Sequence, residues 1–266
     1  MTGRILHISD LHLGHATARE PLERLRELIP TLDPEILVVT GDLTHRGRPA
    51  ELAGARELLE SLRLPLLAIP GNHDIPYVFP TRFTRTREAW ERVFGTAQPV
   101  YTSDRIAIVG VNSVRPWRQQ GGAIESSQLD RVASKLDVAP EGALRVVALH
   151  HHLAAPPWRA AHKRPVRDRD RVLQRLASAG VELVLSGHVH QSAVAERREF
   201  EVVELDQRNS IVLATAAGFG RPRPDRRGEA VGFNSYEVEQ ECISVVTWSW
   251  SGGGFTEVGR RTFRRA

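Results

Sequence analysis

Imidazole, carboxylate and carboxamide side chains recur at five places in the sequence, each after a short apolar run. They are Asp10 with His12, Asp42, Asn72 with His73, His150, and His188 with His190. Mixed oxygen and nitrogen donors of this kind suit borderline transition metals such as Mn, Fe, Zn or Co better than Mg or Ca. On an extended segment, Asp10 and His12 would point to one side and reach one metal, as would His188 and His190. A single pair is weak evidence, but the repeated pattern favours a metal site.

Short apolar runs rich in β-branched residues lead into these side chains. The runs lack polar alternation, which is typical of strands buried on both faces of a parallel sheet. We expect strands over 4–8, 36–39, 66–69, 106–111, 145–149 and 181–185. Helical periodicity predicts helices over 20–29, 49–62, 89–94, 126–136 and 170–178, with Ser126 or Ser127 as a cap. Because the carboxyl ends of parallel strands meet at one rim, the polar side chains would share one site.

The pattern changes after residue 190 to short β-rich runs around Val194, Val212, Val238 and Val245. These runs predict a second, more antiparallel sheet packed on the first, so that residues 191–266 would supply second-sheet strands. No linker or internal repeat interrupts the chain, and we expect one domain over residues 1–266.

Composition narrows the class of protein. A hydrophobic content of 41% and a charged content of 26% are typical of a globular protein. No apolar run approaches the roughly 20 residues of a membrane span, and the first residues contain no apolar leader, so we expect the cytoplasm. The net charge of +4 comes from scattered arginines, which makes a nucleic-acid partner possible but not favoured. Cys242 lies in an apolar run and is expected to be a buried, inert thiol.

An ordered set of motifs spans residues 4–190: Asp10-x-His12, Gly41-Asp42, Gly71-Asn72-His73-Asp74, a histidine run at 150, and Gly187-His188-x-His190. The set resembles the signature of the calcineurin-like metallophosphoesterase superfamily. The resemblance implies an α/β fold, a four-layer α/β/β/α sandwich of two mixed β-sheets flanked by helices. It also implies two divalent transition metal ions, Mn²⁺, Fe²⁺/Fe³⁺ or Zn²⁺. When the motifs are matched position by position, the resemblance implies that Asp10, His12 and His190 bind one ion. Asn72, His150 and His188 would bind the other, and Asp42 would bridge the two.

The resemblance also assigns a catalytic residue. His73 would stay free of metal and face the scissile phosphate, with Asp74 as its orienting partner. The family's usual His-His-Pro is His150-His151-His152-Leu153 here. We assign the ligand to His150, which follows the strand directly, and expect His151 and His152 to be supporting or surface groups. The remaining histidines are expected to be structural or exposed: His7, His15, His45 and His162.

Charge counting agrees with an ester hydrolase. Two divalent ions with Asp10 and Asp42 leave about +2, and a bridging hydroxide leaves about +1, which matches a monoanionic phosphodiester. The chain length and the sequence Asp-Leu-His-Leu-Gly most resemble bacterial class III cyclic nucleotide phosphodiesterases. The resemblance therefore implies hydrolysis of a small phosphodiester, a 3′,5′-cyclic nucleotide first, by that hydroxide. Segments that could line the substrate pocket are Asn112, 75–87, 158–169 and 221–227.

Three alternatives remain open. A nuclease would need a continuous basic groove with interleaved aromatic residues, and Trp90, Trp117 and Trp158 are scattered. A pyrophosphatase acting on a nucleotide-linked lipid would need an apolar cap. Residues 75–79 could form part of such a cap, or they could simply belong to the core. A non-catalytic protein-binding scaffold would be expected to lose ligands, and none is missing. The 248–250 strand and the arginine-rich tail could form the edge of a homodimer or simply finish the second sheet.

Overall fold

The computed structural model describes residues 2–13, 19–118, 120–154, 163–200, 210–220, 229 and 231–265. The proposed pocket segment 221–227 lies outside this part of the chain, as do His15 and residues 158–162 of the segment 158–169, which include His162. The helices are α1 (Arg19–Leu32), α2 (Pro49–Glu60), α3 (Thr81–Thr84), α4 (Glu88–Phe94), α5 (Ser126–Asp137) and α6 (Arg169–Ser178). No helix among these residues is both long enough and apolar enough to cross a lipid bilayer.

Twelve strands are present in the described residues. They are β1 (Gly3–Ile8), β2 (Ile36–Val39), β3 (Leu66–Ala68), β4 (Val100–Thr102), β5 (Ile106–Val111), β6 (Leu144–Leu149), β7 (Leu183–Ser186), β8 (Ala193–Glu196), β9 (Val212–Thr215), β10 (Gly232–Val238), β11 (Cys242–Ser251) and β12 (Gly254–Arg264). The six predicted strands and five predicted helices therefore exist with small shifts at their ends.

The strands form two six-stranded mixed sheets, in the orders β12-β11-β10-β1-β2-β3 and β4-β5-β6-β7-β9-β8. The expected single parallel sheet is wrong, because β1–β3 and β5–β7 belong to different sheets. The expected role of 191–266 is also wrong, because β8 and β9 join the second sheet and β10–β12 join the first. An apolar run without alternation indicates a strand buried on both faces, but it does not indicate which strand lies beside it. Here β1 pairs with β10, with Ile5 opposite Tyr236.

The two sheets pack face to face between helices. Strand alternation places Ile5 in the core shared with β5–β7, whereas Leu6 belongs to a separate cluster under the helices. That outer cluster contains residues of α1, α2 and α4, while residues of α5 and α6 pack with the second sheet. The predicted four-layer α/β/β/α sandwich is confirmed, and the carboxyl ends of β1–β3 and β5–β7 carry the predicted site.

Two local expectations are wrong, the cap of α5 and the buried position of Cys242. The residue that caps α5 is Glu125, whose backbone N–H donates to Gln128 Oε1 at 3.0 Å, and neither Ser126 nor Ser127 does so. The 248–250 strand lies inside its sheet, because β11 pairs with β10 and β12, and the arginine-rich segment that follows it forms the edge strand β12. A homodimer through this edge stays a prediction. Cys242 is only half-buried, and its thiol donates to Glu239 Oε2 at 3.3 Å. The Glu239 carboxylate raises the pKa of that thiol, which agrees with an inert cysteine.

Candidate active site

Left-handed backbone, rather than extended backbone, presents most of the predicted ligands. The φ angles are 55° at Asp10, 49° at His12, 53° at Asp42, 71° at His188 and 58° at His190. Residues with a Cβ rarely adopt this region, at a cost of order 1 kcal/mol each, and such strain concentrates at functional sites. The expectation that His188 and His190 reach one metal by strand alternation is therefore wrong. The turns send their rings to different clusters.

The first cluster contains one ligand atom each from Asp10, His12, Asp42 and His190, all within 4.8 Å of one another. The Nε2 atom of His190 lies 3.0 Å from Asp10 Oδ1 and 3.2 Å from His12 Nε2. His12 Nε2 lies 3.8 Å from Asp10 Oδ1 and 3.9 Å from Asp42 Oδ2. Because bonds to such an ion are roughly 2.0–2.2 Å long, donors spaced in this way can surround one cation.

The second cluster is centred on His150. Its Nε2 atom lies 3.1 Å from Asn72 Oδ1, 3.2 Å from His188 Nδ1 and 3.5 Å from Asp42 Oδ2. Carboxamide oxygen, carboxylate oxygen and two imidazole nitrogens thus converge as they would around a second ion. The two groups of atoms belong to the residues that the resemblance assigned to the two ions, and the assignment itself stays a prediction.

Asp42 stands between the two clusters. Its Oδ1 atom accepts the backbone N–H of His73 at 2.8 Å, whereas its buried Oδ2 atom has no hydrogen-bond donor. A buried carboxylate oxygen without a donor is costly unless something positive reaches it. Since Oδ2 is the atom that faces both His12 and His150, it fits a ligand shared by two ions.

Neighbouring groups fix the orientation of the ligands. Asp10 Oδ2 accepts the Ser9 hydroxyl at 2.7 Å and the His188 N–H at 2.9 Å. His150 Nδ1 donates to the Thr40 carbonyl oxygen at 2.7 Å. In the neutral ring, Nε2 therefore carries the lone pair that faces the cluster. His190 Nδ1 lies 3.5 Å from Glu229 Oε2. Such partners set the tautomer and basicity of metal-binding imidazoles.

Glycines allow the loops to approach closely. A Cβ at Gly71 would collide with the backbone N and Oδ1 of Asp42, and one at Gly187 would collide with the hydroxyl of Ser9 and with Asp10 Oδ2. The glycines of the two motifs are therefore required by the contact between loops from different strands.

The buried carboxylates make the site strongly attractive to positive charge. Burial lowers the pKa of His150, but Asp42 and Asp10 outweigh it and raise that pKa to about 9. Burial likewise lowers the pKa of His190, but the Asp10 carboxylate outweighs it and raises that pKa to about 9. Burial raises the pKa of Asp42, but the positive charge that the neighbouring His150 ring can carry holds it well below its usual value. The charged carboxylates thus favour either protonated imidazoles or bound cations, and the donor set fits divalent transition metals.

His73 lies beside the first cluster and belongs to neither group of ligand atoms. Its ring is 4.9 Å from that of His12, and its Nδ1 atom is 2.9 Å from the carbonyl oxygen of His45. The prediction that Asp74 orients His73 is wrong. Asp74 instead accepts backbone N–H groups of Gly71 at 2.8 Å, Leu43 at 3.1 Å and Thr44 at 2.8 Å. Its buried carboxylate therefore holds two loops together, and burial and then Asp42 raise its pKa to about 6.

Other predicted positions behave differently. His151 and His152 are fully buried, so a surface position is wrong for both. His151 lies in one group with His150 and His188, and its Nδ1 is 2.9 Å from the Ser113 hydroxyl. Asn112 is buried, and its side-chain oxygen accepts the N–H of Val114 at 2.9 Å. Its role in substrate binding stays a prediction.

Several groups that contribute to the site were not predicted from the sequence. The carbonyl of His45 and the side chain of Glu229 gave no signal, because neither stands in a metal-ligand motif. Tyr77, whose ring lies 5.9 Å from that of His73, was considered only as part of a loop. Ser9 could have been found, since it directly precedes Asp10.

Comparisons with known proteins agree with this geometry. The model of the calcineurin-like phosphoesterase family matches residues 3–192. A probable cyclic nucleotide phosphodiesterase of Synechococcus sp. is 30% identical over 210 residues, 74% of this chain and 77% of that protein. A 3′,5′-cyclic adenosine monophosphate phosphodiesterase of Escherichia coli K12 is 28% identical over 225 residues, 80% of this chain and 74% of that protein.

Solved structures share the fold. A purple acid phosphatase from yellow lupin has a TM-score of 0.74 at 12% identity, covering 100% of this chain and 54% of that chain. GAP50, described as the anchor in the inner membrane complex of Plasmodium, has a TM-score of 0.63 at 15% identity, covering 100% of this chain and 89% of that chain. At these identities the likeness concerns the fold alone.

The family match spans most of the chain and includes every motif of the predicted site. It confirms the resemblance found in the sequence, and it confirms that the protein is an enzyme that hydrolyses phosphoric esters. The chain belongs to the calcineurin-like phosphoesterase family.

Proposed function

We propose that the protein is a metal-dependent phosphodiesterase that hydrolyses a small phosphodiester, a 3′,5′-cyclic nucleotide, at a dinuclear centre. The observation that carries the proposal is Asp42 Oδ2, a buried oxygen without a donor that faces one ligand cluster at 3.9 Å and the other at 3.5 Å. The names of the Synechococcus and Escherichia coli relatives support a cyclic nucleotide as the substrate.

Seven residues would hold the ions, as the resemblance implied: Asp10, His12, Asp42, Asn72, His150, His188 and His190. When bound, two divalent transition metal ions, of Mn, Fe or Zn, would supply a nucleophile at neutral pH and positive charge for the phosphate oxygens. The protein's own part begins with orientation. Ser9 and the His188 N–H fix the Asp10 carboxylate, and the His73 N–H fixes that of Asp42.

His73 is the residue that acts on the ester. Its Nδ1 atom is held by the His45 carbonyl, so Nε2 is the atom available to the substrate. A proton on Nε2 would stabilise charge on the phosphate and pass to the leaving alkoxide. Asp74 contributes indirectly, because its three backbone contacts keep the His73 loop against residues 43–44. No covalent enzyme intermediate is required.

The exposure of one loop favours a second candidate, a pyrophosphatase of a lipid-linked nucleotide. In the segment 75–79, only Ile75 is core; Tyr77, Val78 and Phe79 are exposed at 45%, 70% and 79%. An exposed apolar segment next to the site is what such a substrate would need. The structure weakens the nuclease alternative, because Trp90 is only 1% exposed and therefore cannot stack on the bases of a nucleic acid.

The test is a parallel assay of the metal-reconstituted protein. The substrates are bis-p-nitrophenyl phosphate, p-nitrophenyl phosphate, cyclic AMP, a lipid-linked nucleotide pyrophosphate and single-stranded DNA. The proposal predicts turnover of the diester and of cyclic AMP well above that of the monoester and of DNA. Turnover of the lipid-linked compound alone would select the second candidate, and no turnover with Mn, Fe or Zn would refute both.

A further inference from the structure

Large apolar side chains are exposed next to the site. Among the described residues, nine such side chains are exposed, and five of them lie in two loops, at 76–83 and 114–118. They are Tyr77 (45% exposed), Val78 (70%), Phe79 (79%), Phe83 (51%) and Trp117 (69%). We call these five residues the aromatic rim. Single exposed apolar residues need no explanation, but a contiguous group of them marks a binding surface.

The rim is a built surface. The rings of Phe79 and Phe83 lie 6.3 Å apart. Arg82 is only 7% exposed and donates to the carbonyl oxygens of Pro116 at 2.7 Å and Pro76 at 3.2 Å, so it ties the two loops together. Its guanidinium also lies 5.7 Å from the centre of the Tyr77 ring. The hydrogen bonds of the buried Arg82 therefore fix the backbone of the two segments whose apolar side chains are exposed to solvent.

The rim borders the catalytic residue. The ring of Tyr77 is 5.9 Å from that of His73. A cleft of about 370 Å³ opens beside it, and its lining includes Tyr77, Val78, Glu88 and four arginines. These arginines are Arg46, Arg48, Arg85 and Arg92. The cleft thus offers both apolar surface and positive charge within reach of the site.

The charge around the rim selects the kind of partner. The segments 45–51, 76–95 and 114–118 together contain eight arginines, three glutamates and no aspartate or lysine. Four of the arginines, Arg48, Arg85, Arg87 and Arg92, pair with these glutamates, and Arg115 pairs with Glu125 at 3.2 Å. With Glu125 counted as well, a surplus of four positive charges remains, equal to the net charge of the whole chain. A symmetric contact with a second copy would bring two such cationic surfaces together, and like charges oppose that contact. An anionic surface would be attracted instead.

We propose that the aromatic rim docks the enzyme on an anionic lipid surface. Phe79, Phe83 and Trp117 would enter the headgroup region, where aromatic and apolar side chains are stabilised, and the surrounding arginines would pair with lipid phosphates. His73 would then face the membrane, and an ester carried by a lipid would reach the cleft without leaving the bilayer. The docking goes beyond the proposed function and holds for any phosphodiester hydrolysed at the site.

The test is sedimentation of the metal-loaded protein with vesicles of phosphatidylcholine, with and without phosphatidylglycerol. We expect binding to the anionic vesicles and weak binding to the neutral ones, with a steep decrease as salt is raised. Because the two phenylalanines would lose their apolar contact with the lipid, Phe79→Ser with Phe83→Ser should weaken partitioning by about tenfold or more.

A matched control removes exposed apolar surface elsewhere. Val138, at the end of α5, and Val258, in β12, are exposed at 78% and 60%, and neither belongs to the segments that form the rim. Val138→Ser with Val258→Ser should leave vesicle binding unchanged. Both double variants should keep their metal content and melting temperature, which shows that they fold.

Two results would overturn the docking. One is equal binding of the Phe79→Ser, Phe83→Ser variant and the unchanged protein. The other is absence of vesicle binding. If the protein is then a dimer in gel filtration that the same variant dissociates, the rim covers a second copy instead. The outcome is independent of the proposed function. Vesicle binding without diesterase activity would refute only the latter, and activity without binding would refute only the docking.

Discussion

Replacement of His73 by alanine separates catalysis from metal binding. In the structure, residue 73 touches the metal site through its backbone, whose N–H donates to Asp42 Oδ1 at 2.8 Å. Alanine keeps that N–H, so Asp42 stays oriented and the protein should still bind two ions. The variant loses the imidazole that the His45 carbonyl holds at 2.9 Å next to the first cluster.

The size of the effect follows from the role assigned to the ring. Loss of a positioned proton donor typically lowers kcat by about 10²–10⁴, which is about 3–5 kcal/mol of barrier. The loss should depend on the leaving group. Cyclic AMP releases an alkoxide that needs a proton, whereas bis-p-nitrophenyl phosphate releases a stable phenolate. We therefore expect a larger decrease with cyclic AMP than with the nitrophenyl diester.

The assay compares kcat for both substrates with metal content measured by elemental analysis. His45→Ala is a matched control, because the hydrogen bond from His73 goes to the backbone carbonyl of residue 45, which alanine retains. It should keep activity within severalfold of the unchanged protein. An equal loss with both substrates would refute proton donation by His73, and loss of an ion from His73→Ala would refute its separation from the metal ligands.

Three further predictions concern the surroundings of the site. Asp42→Ala should lose both ions in elemental analysis, because each cluster loses its Oδ2 atom, and retention of two ions would contradict the shared ligand. Glu229→Gln should weaken metal binding by about 10–100-fold in a chelator titration, since Oε2 supports His190 Nδ1; unchanged affinity would remove that role. Burial lowers the pKa of His7 from 6.5 to about 3, so the unfolded chain takes up a proton that the folded one refuses, and stability falls as pH drops from 6.5 towards 3. His7→Gln should reduce that slope by up to about 1.4 kcal/mol per pH unit in urea unfolding, and an unaltered slope would contradict the buried neutral state.

Much of the site follows from local sequence, because a ligand that ends a buried strand needs only a local signal. The strand over Ile36–Val39 and the carboxylate that follows it could be predicted from apolar residues and a glycine. The pairing of strands could not. The pairing of β1 with β10 depends on residues 232–238, far along the chain, and the periodicity within either strand does not predict it.

The finer errors arise from contacts between distant loops. Asp74 stands next to His73 in sequence, yet its carboxylate bonds to backbone groups of residues 43–44, which only the folded loops bring near. Glu229 approaches His190 from a segment 39 positions later. The left-handed turns at His188 and His190 also lie outside what residue spacing predicts, because those turns are imposed by packing around the site.

Anomalous diffraction from crystals soaked in manganese tests the central claim, that loops from two sheets hold a pair of cations joined by Asp42. We predict two peaks about 3.5–4 Å apart, one beside Asp10, His12 and His190 and the other beside Asn72, His150 and His188, with Asp42 Oδ2 between them. A single peak, two peaks too far apart to share that oxygen, or no peak at these residues would contradict the dinuclear centre.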